Sequence, residues 1–459
     1  MLRRFMYTGF TASDDAYYAH AAHRLLEGDF VGDKLFNLRW GMVLAAALSF
    51  KLFGVGEGAL MIYPMLLSLS SIVLVYLLGK TLADSETGLL ACFLCALNPL
   101  DVRYASMFFP DLPASFYAGS AAVFFILGCG RGKPYPLALS GLLVWFAWLH
   151  KETSLYIAAA FTVYALIVRV NRRCLFVFLG VLVFFLALES LFYFNQMGDF
   201  FYRLEVIGKN RGDIEHWGDV EIRGLGFEDQ VPPTFFRVLL AGPLKIFLNF
   251  RLGFLGLTAA VGVLYAVLNK RGDLYLLGSW FGVCAFLLNF NTTSPSAYQP
   301  IPLFDRYFHM LLIPACILSA YALMTLEKQH RLGFGLIFFL LISGYGFGLV
   351  EGFFQSDSAK KNRLMISQIP KTERVYADVR SIRVIEFKRG YENTGLIDFS
   401  GLDESRIKPE SYVYLYPARI SFSVDHYDYT PPDFMDDAPR NWILKEICGD
   451  KKLFYVPKT

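Results

Sequence analysis

The chain has 459 residues, length enough for roughly three soluble domains, yet 55% are hydrophobic and only 18% charged, against roughly 25% charged in soluble domains. Phenylalanine alone contributes 44 residues, and the formal net charge is +3. These figures exclude a disordered or collagen-like chain, argue against a nucleic-acid partner, and point to an integral membrane protein.

The opening run, MLRRFMYTGF, is neither a signal peptide nor a span. After it, TASDDAYYAHAAHRLLEGDF reads as a helix beginning near Ser13. On that helix Asp14 shares a face with Tyr18 and Leu25, and Asp15 flanks the same face. His20, His23, Arg24 and Glu27 gather on the other side. Two readings of the acids stay open. They supply a general base and a partner for a metal or a hydrogen bond, or Ser13 caps the helix and the acids favour its first turn electrostatically. His20-x-x-His23 has the spacing of a zinc pair, but a solvated helix face is the reading to prefer. Arg39, in FNLRWG, is a candidate cation.

Ten apolar stretches follow, at 59–78, 88–107, 112–128, 137–149, 153–168, 174–194, 252–268, 274–290, 307–326 and 333–350. Each reads as a helix, because a lone segment in lipid must satisfy its own backbone hydrogen bonds. Cys92-x-x-Cys95 falls inside one stretch with no second half-site, so packing explains it and no disulfide framework is implied. Asp111 sits between two prolines at the lip of a span, either completing a site with Asp14 or capping a helix. His150, Lys151 and Glu152 interrupt a long apolar run, as a ligand site or as a tight turn with snorkelling charges. Arg306 and His309, in PLFDRYFHMLLIP, begin a later span. Arg39, Lys151, Arg306 and His309 are the candidates to grip a phosphate, since charge-assisted bonds strengthen where water is scarce. Asn291-Thr-Thr forms a glycosylation sequon.

Alternate loops are short and basic: Lys80; Arg131 and Lys133; Arg169, Arg172 and Arg173; Lys270 and Arg271; Lys328 and Arg331. The positive-inside rule places them in the cytoplasm of a multi-pass plasma (inner) membrane protein. Residues 1–58, 98–111, 150–152, 195–251, 291–306 and the tail from about 355 then face outward. An external N-terminus without a preceding span predicts a further apolar helix encoded upstream. Within 355–459 lie 33 of the 83 charged residues, which sets a membrane domain, 1–354, apart from a soluble one, 355–459. Strand-like runs in the tail (RVYADV, GLIDF, SYVYLYP, KLFYVP) and a helix-like SIRVIEFKRGY predict a small α/β domain.

In order and spacing, DDAYYAHAAHRLLEGDF, NLRWGMVLAAALSFKLFG, IVLVYLLGKTLADSETGLLACFLCALNPL, FPDLPASFY, HKET and DRYFHMLLIP resemble the glycosyltransferase-C superfamily over about 1–350. The likeness is to its branch of protein O-mannosyltransferases and aminoarabinose transferases. The resemblance implies an all-α polytopic membrane domain bearing an extracytoplasmic α/β tail. It implies transfer of a sugar from a polyprenyl-phosphate donor to a glycan, lipid or protein acceptor on the outer face, with inversion. Asp14 matches the catalytic acid, with Asp15 beside it, and Asp111 matches the acidic position of the second external loop. Arg39 stands near the basic residue of the interfacial segment. A divalent metal is an open possibility. Two other classes share these features: a transporter or flippase of lipid-linked sugars, and a surface-polysaccharide polymerase or ligase. Acids and cations clustered outward, rather than at the bilayer midplane, favour the enzyme.

Overall fold

A computed structural model of the chain describes residues 2–11, 13–212, 239, 242–292, 301, 303–391, 395–418, 420–421, 424 and 429–458. About half of the external stretch 195–251, much of 291–306 and the last residue of the sequon lie outside the described residues. Two compact units divide the chain: residues 1–4, 31–44 and 64–352 form one, and residues 5–30, 45–63 and 353–459 the other.

All ten apolar stretches are helical. They fall in Glu57–Leu82, Ser85–Leu97 with Pro99–Tyr104, Asp111–Arg131, Pro134–His150, Tyr156–Ile167, Arg172–Met197, Leu255–Leu268, Tyr275–Phe290, His309–Gln329 and Arg331–Ser367. By length and composition six helices suffice to cross a membrane: Glu57–Leu82, Asp111–Gly130, Arg172–Met197, Gly272–Phe290, Asp305–Gln329 and Arg331–Ser367. The expected ten spans are thus supported for six. The stretch 88–107, expected as one span, is broken at Asn98. Its side chain accepts hydrogen bonds from Leu100 N (3.1 Å) and Asp101 N (3.4 Å), capping a new helix with Pro99 at its start.

In the larger unit His309–Gln329 is almost wholly buried and packs on Ser85–Leu97, Asp111–Arg131, Leu255–Leu268 and Tyr275–Phe290. The approach to Leu255–Leu268 is backbone-close: a Cβ at Gly262 would lie 2.1 Å from the Leu318 carbonyl oxygen. Small residues serve this purpose in lipid, where apolar burial does not drive helices together. Arg172–Met197 leaves Phe176, Val183, Phe184 and Leu188 exposed, a face suited to hydrocarbon. Near the start of the chain, a residue range with no expected role, Arg3 forms a buried ion pair with Asp101 at 2.5 Å and donates to Ser68 Oγ at 2.6 Å.

The smaller unit contains the acidic helix Asp14–Glu27 and a five-stranded sheet. Its strands are β1 (Arg374–Ala377), β2 (Leu396–Asp398), β3 (Ser411–Leu415), β4 (Ile443–Cys448) and β5 (Lys451–Val456), in the order β2-β1-β3-β5-β4. β1 pairs in parallel with β2 and β3; β5 pairs antiparallel with β3 and β4. The helix Val379–Lys388 crosses from β1 to β2, as a parallel pair requires. Four strands and this helix match the expected tail elements; β4 was not foreseen.

Candidate functional site

In the larger unit, four expected residues meet from three segments. Asp111 opens its helix and is 2% exposed. Lys151 reaches it from the turn where Pro134–His150 ends, in contact through Nζ and Oδ1. Arg306 Nε stands 3.9 Å from Asp111 Oδ2. His309, one turn further on, is buried, with Nδ1 3.0 Å from the Arg306 carbonyl oxygen and its ring edge-on to Tyr104. Aromatic rings line the cations. Lys151 Nζ lies 3.4 Å from the centre of Tyr307, and the Arg306 guanidinium is 5.0 Å from Phe109 and 5.5 Å from Phe304. Lys151 and Arg306 stand against one carboxylate in a place largely closed to water, a set of donors suited to an anion.

The Lys151 turn is held by a second ionic network. Arg39 donates Nε and Nη2 to the two oxygens of Glu152 (3.0 and 2.9 Å). Arg203 stands 3.9 Å from Glu152 and 2.5 Å from Glu189, donates to the Trp148 carbonyl at 2.7 Å, and covers the Trp148 ring at 4.3 Å. The Trp148 indole donates to Glu189 at 2.8 Å. Here two arginines balance two glutamates. Arg39, expected as a phosphate cation, makes a bidentate pair with Glu152. The bidentate pair fixes the residue next to Lys151 and so aims the lysine. His150, in the same turn, stacks on Tyr117 at 5.0 Å. Beyond Arg306, Asp305 accepts from Asn249 at 2.8 Å and pairs with Arg251, which also binds Glu351 through Nε at 2.8 Å. This last group went unnoticed in the sequence, although the Asp305-Arg306 dipeptide was a signal that the turn carries two opposite charges.

In the smaller unit the two adjacent acids differ sharply. Asp15 is wholly buried. Its Oδ2 accepts from Thr11 N (2.5 Å) and Thr11 Oγ1 (3.0 Å), and its Oδ1 from Ser13 N (2.7 Å) and Ala16 N (2.9 Å). Burial raises its pKa to about 6, outweighing those donors. Ser13 occupies the N-cap position but makes no side-chain capping bond, contrary to expectation. Asp15 satisfies the amides instead, because a carboxylate offers acceptor sites for several donors and a hydroxyl for fewer. Asp14 begins the helix and accepts from Ser13 Oγ at 3.4 Å. The capping explanation thus belongs to Asp15, whose carboxylate meets the backbone amides of the turn. His20 and His23 do not form a solvated face. His23 stacks on Tyr391 and pairs with Glu27 at 3.2 Å, while His20 meets Tyr391 edge-on. Among the described residues, no three of His, Cys, Asp and Glu cluster as metal ligands.

Residues 41–193, a third of the chain, match the family model for dolichyl-phosphate-mannose-protein mannosyltransferase. No curated protein sequence matches significantly. Among solved structures, ArnT from Cupriavidus metallidurans is similar over 99% of this chain and 95% of its own, at 13% identity and a TM-score of 0.56, both in the apo state and bound to undecaprenyl phosphate. The Archaeoglobus fulgidus oligosaccharyltransferase, in complex with Zn and sulfate, is similar over 82% of this chain and 57% of its own, at 15% identity and a TM-score of 0.50. The chain spans less than two thirds of that second protein. At these identities the likeness establishes fold. Together with the family match it upholds the resemblance to the glycosyltransferase-C superfamily.

Proposed function

We propose that the chain is an integral membrane glycosyltransferase that moves a sugar from a polyprenyl-phosphate donor to an acceptor on the extracytoplasmic face. The observation that carries the reading is the pair of basic side chains, Lys151 and Arg306, set around the buried Asp111. A sugar phosphodiester carries one negative charge, and its polyprenyl phosphate approaches two as the glycosidic bond breaks. Fixed cations therefore bind the leaving group more strongly in the transition state than in the ground state. That ArnT has been crystallised with undecaprenyl phosphate supports this donor class. In the proposed step the acceptor oxygen or nitrogen attacks the anomeric carbon, the bond to the phosphate oxygen breaks, and Asp14 takes the acceptor proton. A single in-line displacement inverts the anomeric centre. Asp111 holds Lys151 in place and tempers the positive charge, and the basic loops argue that both acidic regions face outward.

The test is transfer of a radiolabelled sugar from a defined polyprenyl-phosphate donor by the purified protein. Lys151→Ala and Arg306→Ala should raise donor KM and lower kcat. Movement of the donor across vesicles without any transfer would defeat the enzyme reading.

A further inference from the structure

The acidic helix Asp14–Glu27 folds with the tail: residues 5–30 and 353–459 belong to one compact unit. A helix of only 14 residues is marginal alone, so what it packs against decides where its carboxylates stand. The tail takes hold on both sides of the acidic turn. Before it, Phe10 stacks on Phe387 with centres 4.1 Å apart and planes at 17°, and Arg363 donates to the Thr8 carbonyl. Glu57 ties down the same region through Lys388 and through Arg363 at 3.6 Å. A Cβ at Gly9 would lie 2.0 Å from the Glu57 carboxylate, and its φ of +72° is glycine's.

After the turn, the Arg383 guanidinium covers Tyr17 at 4.1 Å, and His23 lies flat on Tyr391 at 4.3 Å and 11°. Tyr17, His20 and His23 form one stripe, centred about 120° round the helix from Asp14. The tail therefore holds the helix along a stripe that runs from beside Asp14 to its far side. Tyr391 is the end of this grip and has an unusual backbone. It adopts φ +60° after Gly390 at +75°, with its N–H donating to the Glu386 carbonyl at 3.0 Å. A tyrosine in the left-handed region is uncommon and is kept there by its surroundings.

We propose that Tyr391 is a positioning residue: its ring beneath His23 sets the roll of the acidic helix, so that the tail domain aims the Asp14 carboxylate. This rests on the reading of Asp14 as the base. The experiment compares Tyr391→Gly, Tyr391→Phe and Asp14→Asn in purified full-length protein, with steady-state transfer, thermal unfolding, and hydrogen exchange over 14–27. Glycine removes the ring but relieves the left-handed backbone, so the fold should persist. We expect Tyr391→Gly to lower kcat about 10- to 100-fold with donor KM nearly unchanged, since small misplacement of a reacting group has that cost. Exchange over 14–27 should quicken, the unfolding temperature should hold, and phenylalanine should rescue all of it. Wild-type kcat in Tyr391→Gly beside an inactive Asp14→Asn would overturn the proposal and leave the base reading standing. A kcat loss matched by a fall in unfolding temperature would also overturn it, by reducing Tyr391 to a packing residue. An active Asp14→Asn protein would instead remove the base reading on which the proposal stands.

Discussion

Charge arithmetic around Asp111 makes a sharp prediction about which variants of the buried cluster fold and which turn over. Asp111 and Lys151 are 2% and 5% exposed in their side chains, and Arg306 is the next charge at 3.9 Å. Asp111→Asn removes the negative charge and leaves two cations facing each other. Lys151→Met leaves Asp111 with Arg306 as its remaining near cation, a partial compensation. Removing one member of a buried pair costs on the order of 3–5 kcal/mol. Asp111→Asn should reach the upper end of that range and Lys151→Met the lower. The double variant Asp111→Asn/Lys151→Met restores the original net charge and should recover most of the stability, because each substitution removes the partner the other would strand. Thermal unfolding of the four proteins in detergent measures the order, and sugar transfer is assayed on the same samples. If Lys151 holds the donor phosphate, the double variant folds well and transfers poorly. Wild-type transfer in the double variant would refute the phosphate role, and equal stability of all four would refute the pairing argument.

Three further outcomes follow from individual residues. Asp14→Asn should lower transfer by about 10²–10⁴-fold while donor binding persists; a near-native rate would return Asp14 to a structural role. Asp15, raised to about 6 from an ordinary 3.8 by burial, keeps its proton in the folded state where the unfolded chain has lost it. Its contribution to stability is therefore full below about pH 4, falls as pH rises through 6, and amounts to about 3 kcal/mol. The unfolding temperature should fall across that window and Asp15→Asn should flatten the slope; parallel slopes in the two proteins would dispose of the assignment. Arg39→Gln should destabilise the protein by stranding Glu152, and adding Glu152→Gln should restore stability. A donor KM that stays raised in that double variant would show that Arg39 touches phosphate as well.

What the sequence made legible, and what it did not, divides along the range of the forces involved. Membrane helices are written locally: each is a run of apolar side chains, and all ten runs became helices. The break within 88–107 was also local and was passed over, although Asn98-Pro99 is the dipeptide that caps one helix and starts another. β4 escaped because an exposed edge strand need not alternate. Ile443, Leu444 and Ile447 lie exposed beside Lys445 and Glu446, charges of the kind that keep an edge from pairing with another chain. The site residues were visible as misfits, ionisable groups in apolar surroundings, but not their partners, because an ion pair such as Arg39–Glu152 joins positions far apart in the chain. Asp14 and Asp15 show the limit most clearly. Side by side in sequence, they differ in surroundings: four hydrogen bonds from Thr11, Ser13 and Ala16 reach Asp15. No periodicity reveals which of two neighbouring carboxylates the backbone will claim. Only the turn that precedes the helix decides it, and that turn is shaped by Gly9 against Glu57, and by Phe10 against a ring near the far end of the chain.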